Sequence, residues 1–191
     1  FLLVFATLTL LFSSVLLTSC QGKKIKNTVF SVDDLAGKTI GVQLGTTGDT
    51  LVSDYETDGS GTTVSRYNKG SDAIQALKQG KADAVVIDEQ PALAFVKANP
   101  DLTILEEEFA NEDYAICVAK GNSLTAKLNE AIEVLMADGT IQKLIDDYVG
   151  DNATFSGYKS PDGISRTNGT LVMATNAYFK PYEYYEGGSI I

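Results

Sequence analysis

The chain has 191 residues, with 15 Lys and Arg against 25 Asp and Glu, a net charge of −10 and no histidine. An acidic balance argues against nucleic acid, whose phosphates demand a basic face. The missing imidazole removes serine, cysteine and metal chemistry built on it, and no cofactor or metal is expected. At 44% hydrophobic and 21% charged residues the composition is globular, and the length allows one ordinary domain or two small lobes.

Residues 1–19, FLLVFATLTLLFSSVLLTS, carry no charge. The length would suit a transmembrane helix, but the serines, the threonines and the N-terminal position fit the apolar region of a secretory signal peptide better. The run ends in LTSC, Leu17 to Cys20, which resembles the lipobox of bacterial lipoproteins. That resemblance implies a lipid on Cys20, membrane anchoring and an extracytoplasmic location. An anchor helix that ends in cysteine is the alternative. With no initiator Met and no basic leader, the segment is expected to begin inside a signal. A polar tether follows over 20–27. If Cys20 is lipidated, Cys117 is the remaining thiol and no internal disulfide can form. Cys117 lies in the alternating stretch DYAICVAK, which predicts a strand with the thiol as a small buried apolar group.

From residue 38 strand and helix patterns alternate. KTIGVQ (38–43) predicts a strand, and Asp49 to about Tyr55 a short helix. TTVSRYN (62–68) is the next strand. SDAIQALKQG follows as a helix with Ser71 as N-cap and Gly80 past its end. ADAVVID (82–88) is nearly all apolar, as in a strand buried on both faces of a parallel sheet. PALAFVKAN opens a helix with Pro91 in its first turn, and LTILEE predicts another strand. The alternation defines an α/β fold with a doubly wound, mainly parallel sheet.

From Ser123 the pattern changes. SLTAKLNEAIEVLMADG predicts an amphipathic helix with Leu124, Leu128, Ile132 and Leu135 on one face. GTIQKLIDDYVG predicts a second helix ending at Gly150. Residues 151–169 have the composition of a linker, TLVMATN (170–176) predicts a new strand, and an aromatic stretch, AYFKPYEYYEGG, follows.

In an open α/β sheet ligands gather at the carboxyl ends of the strands. Two segments lie there. GVQLGTTGDT (41–50) runs from a strand into glycines and threonines, a loop whose backbone N–H groups suit an anion. A plain strand-to-helix turn is the alternative. Asp88 ends ADAVVID and serves either as the N-cap of the next helix, the simpler reading on spacing alone, or as the partner of a ligand cation. A nucleotide phosphate does not fit: a Walker loop needs Lys then Ser/Thr where this loop has Asp49 and Thr50, and the dinucleotide fingerprint is missing. A small anion beside a cation remains, and an α-amino acid carries both.

SVDDLAGKTIGVQLGTTGD, with YNKGSDAIQALKQGKADAVVIDEQPA, resembles the second lobe of the polar amino-acid-binding proteins of ABC importers. DYAICVAKGNSLTAKLNEAIEVLMADGTIQKLIDDYVG is similar to that family's closing segment, and LVMATNAYFKPYEYYEGG to the start of its first lobe. The resemblance implies a periplasmic-binding-protein type II lobe over 28–150 with closing helices, a linker at 151–169 and an incomplete first lobe at 170–191. It further implies that Gly45, Thr46 and Thr47 hold the ligand carboxylate, that Gln43 touches its side chain, and that Asp88 pairs with its ammonium. Phe179, with Tyr178 beside it, packs on the ligand; on the residues alone Phe179 reads as a core aromatic. An ABC permease is the implied partner.

The order of the pieces departs from the family, in which the first lobe comes first, and no arginine here matches the family's carboxylate clamp; neither Arg66 nor Arg166 does. A permutation cut short at residue 191, a tandem receptor with a degenerate first copy and a joined fragment all fit, and each predicts weak ligand binding by this chain. The expected function is thus an amino-acid-binding lipoprotein, not an enzyme. The rivals on the same scaffold are a periplasmic dehydratase using Asp88 or Glu89 as acid or base and a sensor domain with a transmembrane helix downstream.

Overall fold

A computed structural model of the chain describes residues 26–149, 153–154 and 158–191. Residues 1–19, read from the sequence as a signal segment, Cys20, most of the expected tether and Gly150 lie outside the described residues.

The first strand, β1 (Thr39–Gln43), is the centre of a three-stranded parallel sheet. Its neighbours are β2 (Thr63–Tyr67) and β3 (Ala84–Val86), paired as Thr39 with Thr63 through Gln43 with Tyr67, and as Ile40 with Ala84 through Val42 with Val86. A central strand is covered on both faces, so its side chains divide between two layers. Ile40 and Val42 are fully buried in a cluster with Val29, Leu35, Val52 and Val64. Val52 comes from helix α1 (Thr47–Ser53), which a 3-10 turn at Asp54–Glu56 continues. On the opposite face Gly41 lies under helix α2 (Gly70–Lys78): a Cβ there would come 3.5 Å from Ala73 Cβ and 3.3 Å from Val85. Helices on both faces of parallel strands make the sheet doubly wound, as expected.

Helix α2 begins one residue before the predicted cap. Lys69 has extended backbone angles and its carbonyl accepts the N–H groups of Asp72 and Ala73. Lys69 is therefore the N-cap, and Ser71 lies within the first turn. Helix α3 (Glu89–Ala98) follows β3, with Pro91 in its first turn and buried.

Three predicted strands are not formed. LTILEE runs beside the sheet without a ladder and supplies Leu105 and, just beyond, Phe109 to the core by side-chain packing alone. DYAICVAK and TLVMATN pair with no strand among the described residues. Alternation fixes which residues share a face, but a strand exists only if a second strand supplies its hydrogen bonds. Without one, Tyr114, Ile116, Leu171, Val172 and Met173 are exposed. Cys117 is exposed too, which overturns its reading as a buried apolar group.

Helices α4 (Leu124–Ala137) and α5 (Thr140–Tyr148) pack as a pair joined at Gly139. The predicted stripe Leu124, Leu128, Ile132 and Leu135 is half-buried while the positions between are exposed. The Ser123 side chain makes no cap bond; Asn122 Oδ1 instead accepts the Leu124 N–H at 2.9 Å. The aromatic stretch folds as three short antiparallel strands, β4 (Tyr178–Phe179), β5 (Glu183–Glu186) and β6 (Ser189–Ile190).

Candidate functional site

The loop after β1 is braced from within. Gly45 has φ +77, a left-handed conformation that a side chain disfavours, and it turns the chain from strand to helix. Thr46 is the N-cap of α1: its hydroxyl accepts the Asp49 N–H at 3.3 Å and donates to the Gln43 carbonyl at 2.9 Å. Asp49 reaches back past the cap and accepts the Gly45 N–H at 2.9 Å. Its other oxygen accepts Arg66 Nε at 2.7 Å. Gly45 and Thr46 thus satisfy one another's neighbours, whereas the N–H groups of Thr47 and Gly48, at the first turn of α1, have no partner within the helix by its geometry. Thr47 is exposed.

Asp88 occupies the N-cap position of α3, and its carbonyl accepts the Ala92 N–H. Its carboxylate makes no capping bond. It turns instead to Tyr114, whose hydroxyl donates to Asp88 Oδ2 at 2.6 Å. Glu112 lies beside the same carboxylate. The hydrogen bond shared with Asp88 pushes the Glu112 carboxyl above its usual range, with the Thr47 hydroxyl pulling the other way. Although most of the Tyr114 ring is exposed, burial of its hydroxyl end raises the phenol pKa, and the bond to Asp88 acts in the same direction. Sequence reasoning missed Glu112 and Tyr114. Their spacing of two residues, which places side chains on one face of a strand, was the available signal.

The hairpin stands against the end of β1. Gln43, Pro91, Phe95, Tyr178 and Phe179 line one cleft of ≈ 280 Å³. Gln43 is 3% exposed, and its amide Oε1 has no hydrogen-bond partner. Phe179 stacks on Tyr182, with ring centroids 5.7 Å apart, and Tyr182 meets Tyr114 edge-on at 5.3 Å. Lys69 Nζ lies 4.0 Å over the Tyr178 ring. The structure therefore brings Gln43, Tyr178 and Phe179 together in the cleft and links Thr47 to Asp88 through Glu112, while Gly45 and Thr46 brace the loop behind. Arg66 serves that loop, bonding to Asp49, Val64, Ser53 and Glu56, and Arg166 lies in the exposed stretch after residue 158.

No protein-family model matches the sequence. The chain is 33% identical over 135 residues to the L-cystine-binding protein TcyJ of Escherichia coli (strain K12), a match covering 68% of this chain and 48% of that protein. It is 33% identical over 117 residues to the arginine-binding extracellular protein ArtP of Bacillus subtilis (strain 168), covering 60% and 46% respectively. Among solved structures it is similar to an ancestral arginine-binding protein bound to arginine, at 42% identity and TM-score 0.59, over 65% of this chain and 56% of the other. The chain spans about half the length of the curated relatives it matches. The fold is that of the type II periplasmic binding proteins, an α/β architecture with a parallel sheet. Within that class its relatives and structural neighbours are amino-acid-binding proteins of ABC transporters, binding proteins and not enzymes.

Proposed function

We propose that the chain takes part in capturing an amino acid outside the cytoplasm for delivery to an ABC permease, as a lipoprotein held to the membrane through Cys20. In this reading residues 28–150 are the second lobe with its closing helices, 151–169 a linker and 170–191 the start of a first lobe. The Gly45–Thr46–Thr47 loop takes the ligand carboxylate at its Thr47 end, with Gly45 and Thr46 holding the loop in shape. Asp88 takes its ammonium, and Tyr178 and Phe179 pack on the ligand. The lobes close over the ligand about a hinge.

The observation that carries this reading is the Asp88 carboxylate. It sits where a helix cap would be, yet it makes no bond to the helix and is held by a tyrosine hydroxyl beside Glu112 and Thr47. A second observation bears on the ligand. An unpartnered amide oxygen on Gln43, in a cleft walled by aromatic rings, favours a ligand side chain ending in N–H donors. The relative ArtP and the similar ancestral protein are named for binding arginine, which has that chemistry.

Calorimetric titration with L-arginine and L-cystine tests the assignment. Asp88→Asn should weaken binding by about 2–5 kcal/mol, because the ligand ammonium loses its charged partner, while stability falls by well under about 1 kcal/mol. Binding within about threefold of wild type, less than roughly 0.7 kcal/mol, would leave Asp88 as a structural group and remove the main support for the reading.

A further inference from the structure

A carboxylate inside a loop that receives another carboxylate is a physical contradiction unless its charge is cancelled. Asp49 is 7% exposed and lies in the first turn of α1, two residues after Thr47 and three after the Thr46 cap. Its Oδ2 holds the Gly45 N–H and its Oδ1 takes Arg66 Nε, at 2.9 and 2.7 Å. Arg66 stands on β2, level with Val42 of β1, so its side chain crosses the edge of α1. The rest of its guanidinium is also committed: Nη2 donates to Ser53 Oγ at 2.7 Å and to Glu56 Oε2 at 2.8 Å. A planar fork can join one helix, the following turn and the strand in this way, and an ammonium cannot.

We infer that Arg66 is a positioning residue for ligand capture: by neutralising Asp49 from behind, it lets that carboxylate brace the Gly45–Thr47 loop without repelling an incoming carboxylate. The inference rests on the proposed amino-acid function. The competing description is an ordinary surface ion-pair network, since the Arg66 side chain is 33% exposed and such pairs contribute little to stability.

The test uses Arg66→Gln, Arg66→Lys and the double variant Arg66→Gln/Asp49→Asn, with two readouts. The first is the affinity for L-arginine. Arg66→Gln should lose at least about tenfold (roughly 1.4 kcal/mol), Arg66→Lys should lose less because the charge stays, and the double variant should recover most of the loss because no charge is left to repel. A network that served stability alone would gain nothing in affinity from the second substitution. The second readout needs no ligand: the amide resonance of Gly45 by NMR. In the wild type it should follow the Asp49 carboxyl during an acid titration, and in Arg66→Gln the midpoint should move to higher pH. Wild-type affinity and an unmoved Gly45 midpoint in Arg66→Gln would overturn the inference. Should the wild type bind no amino acid, the functional reading fails, and the Gly45 midpoint still decides whether Arg66 governs the loop; an unmoved midpoint overturns it there too.

Discussion

Asp49 shows how one side chain carries two levels of structure. Its bond to Gly45, and then its pairing with Arg66, hold its carboxyl below the usual aspartate range. A depressed acid contributes stability that is complete above its unfolded value, near 3.8, and is lost as pH falls through the lower folded value. Acid unfolding should therefore begin below about pH 4, and Asp49→Asn should flatten that limb of the stability curve when it is followed by circular dichroism. Glu112 has the opposite sign. Its raised value favours the folded state in acid, and that contribution is lost as pH rises past its folded value. Among single residues, the place of Asp88 at the start of α3 was readable from position along the chain, because helix starts are local signals. Its side chain does not cap the helix, however, and the Thr46 cap went unread. Glu112 was not readable, because its role depends on a crossing between segments 24 residues apart that no local pattern encodes.

At the level of elements, β1 carries the most weight. Ile40 and Val42 are fully buried between the helix layers, and every strand of the parallel sheet pairs with theirs. Ile40→Ala should cost about 2–5 kcal/mol in urea unfolding, from lost transfer energy and the cavity left behind. A cost below about 1 kcal/mol would mean that the site collapses freely and that β1 is not the centre of the core. The elements legible in the sequence were those whose signals are complete within a few residues. They include the apolar run of β1, the alternating β2, and the amphipathic stripe of α4. DYAICVAK was read as alternating and TLVMATN carries an apolar run, yet neither pattern says whether a partner strand lies alongside. In the described structure none does, so their apolar residues face solvent. The same reasoning failed for Cys117, whose burial was inferred from a strand that did not form.

For the molecule as a whole, the parallel sheet with its helices and the antiparallel hairpin meet at the Gln43 cleft, and the family likeness covers about two thirds of the chain. No helix among the described residues is long and apolar enough to cross a membrane. Attachment through Cys20 would make the tether the link between the binding fold and the bilayer. Metabolic labelling of cells with a radioactive fatty acid should mark the wild type and leave Cys20→Ser unmarked. Equal labelling of both would end the lipoprotein assignment.

The hydroxyl of Tyr114 resting on Asp88 has a photophysical consequence. The chain has nine tyrosines and no tryptophan, so its ultraviolet emission comes from phenols alone, without an indole to drain their excitation. A phenol bonded to a carboxylate at 2.6 Å has an excited-state route for its proton and emits poorly. A ligand ammonium that claims Asp88 would release Tyr114 and brighten the protein. Titration with L-arginine should therefore raise emission near the tyrosine maximum in the wild type, and Tyr114→Phe should abolish the rise while leaving the other eight tyrosines as an internal standard. The protein would then carry its own occupancy gauge, read without any label.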